Sequence, residues 1–454
     1  MSASARAADP RELAVEAVEA ARRSGATACD ALLLEFESSS SAVRMRAVET
    51  VKLSRERRLG LRCFAGQGTA VASTADLEPA AIARLAAEVV AMARAVAPDP
   101  VAGLPDGELL ARDTPDLELE DAEGLSISPE ERIDRAARCE AAALDADARI
   151  VNSEGAEFSV RSSRLAYASS AGFLGEYRAT SYALWASPIA ELDGSMQRDS
   201  WYDARRALAR LASPEEIGRK AAARALRRLG ARPVETQEVP VVFDPDMAAS
   251  LIGHVASAVS GGALYRRTSF LLDRLGDAIA SPLVTIVDDG RLPAGLASRP
   301  FDAEGVATRR TVVVERGTLS SYLLDTYSAA KLGLRTTGNA ARSVGDVPAA
   351  AATNFHLAAG TSSPEEIIAS VPRGLYVTSL SGFGVNGVTG DYSRGAAGLW
   401  IEGGELAFPV EEITIAGNLL DMLRGIEMVG NDLSFRSSIV APTLKIGRMT
   451  LGGR

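Results

Sequence analysis

Two histidines and three cysteines limit the chemistry open to this chain. A catalytic zinc site takes about three protein ligands, normally with imidazole among them. His254 and His356 are far apart, and no cysteine follows Cys139. Cys29, Cys63 and Cys139 form no CxxC pair and are odd in number, so they read as buried free thiols rather than a zinc ribbon or a disulfide framework. No G-x-S-x-G occurs, and a Ser-His-Asp triad would have to be assembled from distant parts of the chain. Asp288-Asp289 and Asp244/Asp246 are paired acids of a kind that binds hard cations. The first pair, followed by Gly290, reads more simply as a turn after a strand over 283–287. Gly382, Gly384 and Gly387 have the spacing of a dinucleotide fingerprint, which needs a helix to begin there. Tyr392-Ser393-Arg394-Gly395 and then a strand pattern follow instead.

Around His254 the elements are well marked. Val239–Phe243 is an apolar strand, and Asp244-Pro245 has the form of a helix start, with a capping side chain and then a residue lacking N–H. Met247, Leu251, Val255 and Val259 repeat every four residues, so one face of the helix 245–260 is core. His254 lies at the edge of that stripe. Gly261-Gly262 reads as the helix end.

Upstream, Pro10–Arg23 predicts an amphipathic helix, and residues 31–72 alternate as strands with Gly60, Gly66 and Gly68 as turn points. An Ala-rich helix follows over 78–97. Ser-Pro-Glu-Glu at 128, 213 and 363 marks three helix starts with capping boxes. Residues 149–190 read as hairpin strands. Downstream, Arg316-Gly317 and Gly403-Gly404 are hairpin turns. The class is α+β, with antiparallel strands and flanking helices in the N-terminal part and a strand-rich mixed C-terminal part. The division expected is an α+β subdomain over 1–97, an acidic, turn-rich linker over 98–127, a second α+β subdomain over 128–232, and a C-terminal domain over 238–454.

The composition, 47% hydrophobic and 24% charged over 454 residues, is that of a globular protein long enough for two or three domains. A net charge of −10 opposes a nucleic-acid partner held by a broad electrostatic footprint. The N-terminal stretch has no apolar signal region, and no run of 18 apolar residues occurs, so a cytoplasmic location with no membrane partner is expected.

Four stretches, Met196–Tyr202, Ser260–Asp273, Asn386–Leu406 and Met428–Leu433, resemble the TldD/TldE (PmbA) family, and specifically its TldE (PmbA) branch. In the TldD branch the helix before Arg266-Arg267 carries HExxxH, whose histidines hold zinc and whose glutamate serves as general base. Matched here, Gly253 and Ala258 stand at the histidine positions and His254 at the glutamate position. The late cysteine ligand of that branch has no counterpart in Met428–Ile446.

The resemblance implies a subunit with no catalytic residue, metal or cofactor of its own, partnered by a TldD-type metallopeptidase chain that carries the zinc. It also implies an unfolded or extended peptide as substrate. Family roles implied are leader-peptide trimming, degradation of an unfolded antitoxin and an influence on DNA gyrase, with direct DNA binding least favoured by the charge. Candidate peptide or partner contacts are Arg266, Arg267, Gly384, Asn386, Gly387 and Gly390, the glycine-rich run being equally readable as a structural turn. Two rival readings are a stand-alone peptide-binding or regulatory homodimer and a hydrolase with an unrecognised metal-free site.

Overall fold

In the computed structural model, which describes residues 9–453, the N-terminal half is built on one antiparallel sheet. Its elements are α1 (Pro10–Arg23), β1 (Ala28–Arg44), β2 (Ala47–Ala65), β3 (Gly68–Thr74), α2 (Pro79–Ala95), α3 (Pro129–Leu144), β4 (Ile150–Ser169), β5 (Leu174–Leu192), β6 (Ser195–Arg198), β7 (Trp201–Arg205) and α4 (Pro214–Leu226). The strand order is β3-β2-β1-β4-β5-β6, with β7 also on β5, so residues on both sides of 98–127 share one sheet. α1 and α2 bury Leu13, Ala17, Ile82 and Val89 against Leu33, Leu59 and Leu61. α3 and α4 bury Cys139, Ile217 and Ala221 against Phe158 and Leu184. The segment 98–127 is packed rather than loose: Leu117 and Leu119 are buried, and their carbonyls accept the N–H groups of Ala294 and Thr180.

Gly60 is not a turn. It lies within β2, where the Val344 carbonyl passes too close for a Cβ. The β1–β2 turn is made by Met45 and Arg46, both at positive φ (48° and 65°). The buried Glu140 carboxylate accepts both of their N–H groups at 2.8 Å, a tertiary bond that offsets the local strain. Gly66, at φ 63°, does turn the chain between β2 and β3. All three Ser-Pro-Glu-Glu starts cap helices through the serine, but the reciprocal glutamate bond closes a full capping box only at Ser363 and Glu366.

The C-terminal half contains β8 (Gln237–Phe243), α5 (Pro245–Ala258), α6 (Gly261–Tyr265), β9 (Ile286–Asp289), β10 (Arg310–Glu315), β11 (Thr318–Leu319), α7 (Thr326–Leu332), β12 (Ala340–Ala341), β13 (Ala349–Ala350), β14 (Phe355–Leu357), α8 (Pro364–Ala369), β15 (Arg373–Ser381), β16 (Asp391–Glu402), β17 (Glu405–Asn418), α9 (Leu419–Arg424), β18 (Ile426–Val429), β19 (Ile439–Val440) and β20 (Leu444–Gly452). One sheet runs β17-β16-β15-β8-β20-β18, and a further pairing of 414–416 with 450–452 closes β17 onto β20. A second sheet runs β11-β10-β9-β14-β19. α5 packs against β8 and β15 of the first and β14 and β19 of the second, so its apolar face becomes the centre of the largest core. The α+β class expected from the sequence is the one observed.

Two local expectations change. Gly261 does not end a helix but opens α6, at a position where a Cβ would collide with the Ser328 side chain. Asp288 is inside β9 rather than in a turn; its buried carboxylate accepts hydrogen bonds from Asn339 Nδ2 and from the Thr353 N–H and hydroxyl. Arg316-Gly317 and Gly403-Gly404 do form two-residue hairpin turns, all four residues at positive φ.

The halves are joined by two buried clusters. Arg62 on β2 pairs with Asp30 on β1 and with Glu304 at 3.2 Å, while Arg342 pairs with Asp30 at 2.7 Å, and all four side chains are nearly inaccessible. Burial opposes ionisation of Asp30, yet Arg342 and Arg62 hold its carboxyl below the ordinary range. Beside them Phe301 packs on Phe173 and Tyr177, ring centroids 5.0 and 5.4 Å away.

Candidate functional site

The Asp244 side chain accepts the Met247 N–H at 3.0 Å and starts α5, whose buried stripe then fixes the rotation of the helix. On the neighbouring face, Ser250, His254 and Ser257 follow one another at helical spacing. Opposite them runs β16, where Tyr392 and Arg394, two apart, share a side of the strand. Arg394 Nη1 donates to Ser250 Oγ at 3.1 Å, and the Tyr392 ring meets the His254 ring edge-on at 6.1 Å.

Between them is a pocket of about 450 Å3. His254, Arg394, Ser257 and Thr268 are among its polar lining residues, with Phe270, Phe383, Val385 and Leu419 among its apolar walls. The outer wall is the loop before β16. It is held by backbone bonds from Phe270 N–H to Gly387 O and from Leu419 N–H to Gly390 O, while the Asn386 carboxamide oxygen accepts the N–H groups of Val388 and Thr389. Gly384 is required there, because a side chain would collide with the Ser393 carbonyl. Phe383, on the rim, is fully exposed.

Three polar atoms in this corner, His254 Nε2, Arg394 Nε and the Tyr392 hydroxyl oxygen, are buried without an aligned hydrogen-bond partner among the described residues. Burial, and then the charge of Arg394, hold the His254 imidazole below its ordinary pKa and therefore neutral. Burial pushes the Tyr392 phenol up to about 12. No described carboxylate lies within ion-pair distance of Arg394, and no Asp or Glu lines the pocket.

The sequence-nominated positions separate here. His254, Ala258 and Gly387 line the pocket. Gly253 faces away, toward Ile439. Gly384, Asn386 and Gly390 shape the loop without forming the lining. Arg266 folds over the Tyr265 ring, and Arg267, at φ 58°, lies 3.8 Å from Asp273; both are outside the pocket. Tyr392 and Arg394 were not nominated; their signal was the i, i+2 spacing of DYSRG, which says nothing about what it faces.

His356 is on β14, its Nδ1 3.1 Å from the Asn354 carbonyl and its ring against Phe435. The three cysteines are buried, and burial raises their thiols to about 11 for Cys29 and about 12 for Cys63 and Cys139, which leaves them protonated and unreactive.

Models of the PmbA/TldA metallopeptidase domains match residues 29–93 (domain 1), 123–229 (central domain) and 236–453 (C-terminal domain). The metalloprotease PmbA of Escherichia coli O157:H7 is 43% identical over 91% of this chain and 90% of its own length. The chain belongs to the PmbA/TldD family. Within it the resemblance is to the PmbA, or TldE, branch. The crystal structure of a Bacteroides thetaiotaomicron protein matches 98% of this chain and 99% of its own with a TM-score of 0.91 at 29% identity. TldE from Thermococcus kodakarensis matches 96% of this chain and 99% of its own with a TM-score of 0.87; at 21% identity that likeness speaks for the fold.

A hydrolytic metal does not fit the residues present. Among the described residues no three His, Cys, Asp or Glu side chains are grouped to hold one, and this pocket offers a single imidazole. Among the described residues no helix is long and apolar enough to cross a membrane.

Proposed function

We propose that this chain is the metal-free, TldE-type subunit of a cytoplasmic heterodimeric peptidase, in which a TldD-type partner supplies the zinc and this subunit helps enclose and hold an extended peptide. One observation carries the reading. The helix face that would present ligands instead presents His254 and Ala258 to a half-apolar pocket without a carboxylate or thiol, while Gly253 turns away. A pair of like folds needs only one metal to hydrolyse a peptide; the second can specialise in holding the chain, which frees its ligand positions to change. The exposed glycine-rich loop supports this role, since backbone there is open to an extended chain.

The test is co-expression with a TldD-type chain, followed by size analysis, zinc analysis and peptide cleavage with each subunit alone and together. An equimolar complex is expected, with zinc bound by the partner and cleavage that needs both chains and stops on chelation. Chelator-insensitive cleavage by this chain alone, or a self-associated species that ignores the partner, overturns the proposal.

A further inference from the structure

Arg394 is a cation without a described acidic partner in a protein that carries ten more acidic than basic charges. Arg62 in the interior is neutralised by Asp30 and Glu304. Partly buried Arg206, which has no described carboxylate partner, instead donates to the Gly295, Thr180 and Leu296 carbonyls. Arg394 has neither arrangement, its described side-chain partner being the Ser250 hydroxyl. Leaving a guanidinium uncompensated costs stability, so a ligand that brings the missing charge recovers it. The donors around it point the same way. Arg394 and His254 line one pocket from a strand and a helix, and Arg394 Nε, His254 Nε2 and the neighbouring Tyr392 hydroxyl oxygen are buried with no aligned partner among the described residues.

We propose that this pocket binds a peptide carboxylate, with Arg394 as ionic anchor, His254 as flanking donor, and Phe270, Phe383 and Leu419 taking the adjoining apolar side chain. The inference rests on the peptide-holding role proposed above. A guanidinium fork matches a carboxylate through two parallel N–H bonds, and one cation balances one monoanion. A phosphate dianion would call for more positive charge than the lining provides. The volume suits a terminal residue with its side chain. The carboxylate can belong to the C-terminus of the peptide or to an Asp or Glu side chain, and the experiment separates the two.

Fluorescence anisotropy would use the full chain, alone and with a TldD-type subunit. Three labelled unstructured peptides serve as probes: one ending in leucine as the free acid, its C-terminal amide, and an amide with glutamate beside the leucine. The free acid is expected to bind roughly 10- to 100-fold more tightly than the plain amide. Arg394→Gln should abolish that preference while leaving the affinity for the plain amide in place, which also shows the variant to be folded. Arg394→Lys should retain part of the preference. Phe383→Ala, at an exposed position, should weaken acid and amide alike.

If the glutamate amide binds as tightly as the free acid, the pocket reads side-chain carboxylates, and the proposal stands with that source. Equal binding of acid and plain amide by the wild type, unchanged in Arg394→Gln, overturns it and leaves the peptide-holding role intact. A complex that forms but binds none of the peptides overturns it as well, whereas failure of the complex to form counts against the proposed function instead.

Discussion

Arg62 and Arg394 hold the same charge in opposite settings. Arg62 is sealed between the halves of the molecule, where two guanidiniums meet two carboxylates and the charge sums to zero. Arg394 lies at a pocket whose lining contains no acid, and its described hydrogen-bond partner is a serine hydroxyl. The first arrangement leaves nothing for a ligand to add, so its work is to hold two halves together. The second is incomplete by one negative charge. Between these two arginines the difference is one of electrostatic balance, and it is the imbalance at Arg394 on which the proposed recognition role rests.

The most severe way to break this comparison is to remove Arg62. Arg62→Met strands Glu304 without its cation and should cost about 3–5 kcal/mol in urea unfolding. Phe301→Ala, beside it, should cost a similar amount, about 3–5 kcal/mol, by emptying the aromatic cluster. If Arg62→Met were neutral, the balanced cluster would not be the joint between the halves.

An intermediate case is Asp244, which caps α5 and lies 3.4 Å from Arg224. Burial is the strongest influence on it and outweighs Arg224, raising its carboxyl from the ordinary 3.8 to about 6. A carboxyl raised on folding stabilises the native state while protonated. That contribution is full below the unfolded value and is lost as pH rises through about 6. The loss should be on the order of 2–3 kcal/mol. Asp244→Asn should flatten the stability profile between these two pH values, and an unchanged slope would show that Arg224 neutralises the carboxylate after all.

At the other pole, Arg394→Met should change unfolding stability by no more than about 1 kcal/mol, since it loses one hydrogen bond and relieves an uncompensated charge. A loss as large as that of Arg62→Met would make Arg394 structural. The smallest effect belongs to Phe383→Ala, within about 0.5 kcal/mol by thermal or urea unfolding, because its side chain is fully exposed.

The helix that carries His254 was legible because its signals are local: an acidic cap, a proline, and apolar residues at four-residue spacing. The hairpins at Arg316-Gly317 and Gly403-Gly404 were legible for the same reason. Gly60, Gly261 and Asp288 misled because each has the local look of a turn, while its actual role is set by something distant: the Val344 carbonyl, the Ser328 side chain, and the Asn339 and Thr353 donors. Met45-Arg46 was missed as a turn because the bond that stabilises it comes from Glu140, about a hundred residues away.

What the sequence determined unaided is the donor inventory, two imidazoles and three early thiols, together with the α+β class and the elements whose caps and periodicities are written in consecutive residues. Tertiary structure alone decided that Arg394 and Tyr392 face His254, that Gly253 points away from them, and that no described carboxylate accompanies the guanidinium. The physical reason is that helix and strand preferences act over a few neighbouring residues, whereas a pocket is formed where separate elements pack. The spacing of 254 and 394 along the chain holds no information about their distance in space until α5 and β16 are docked on a common core.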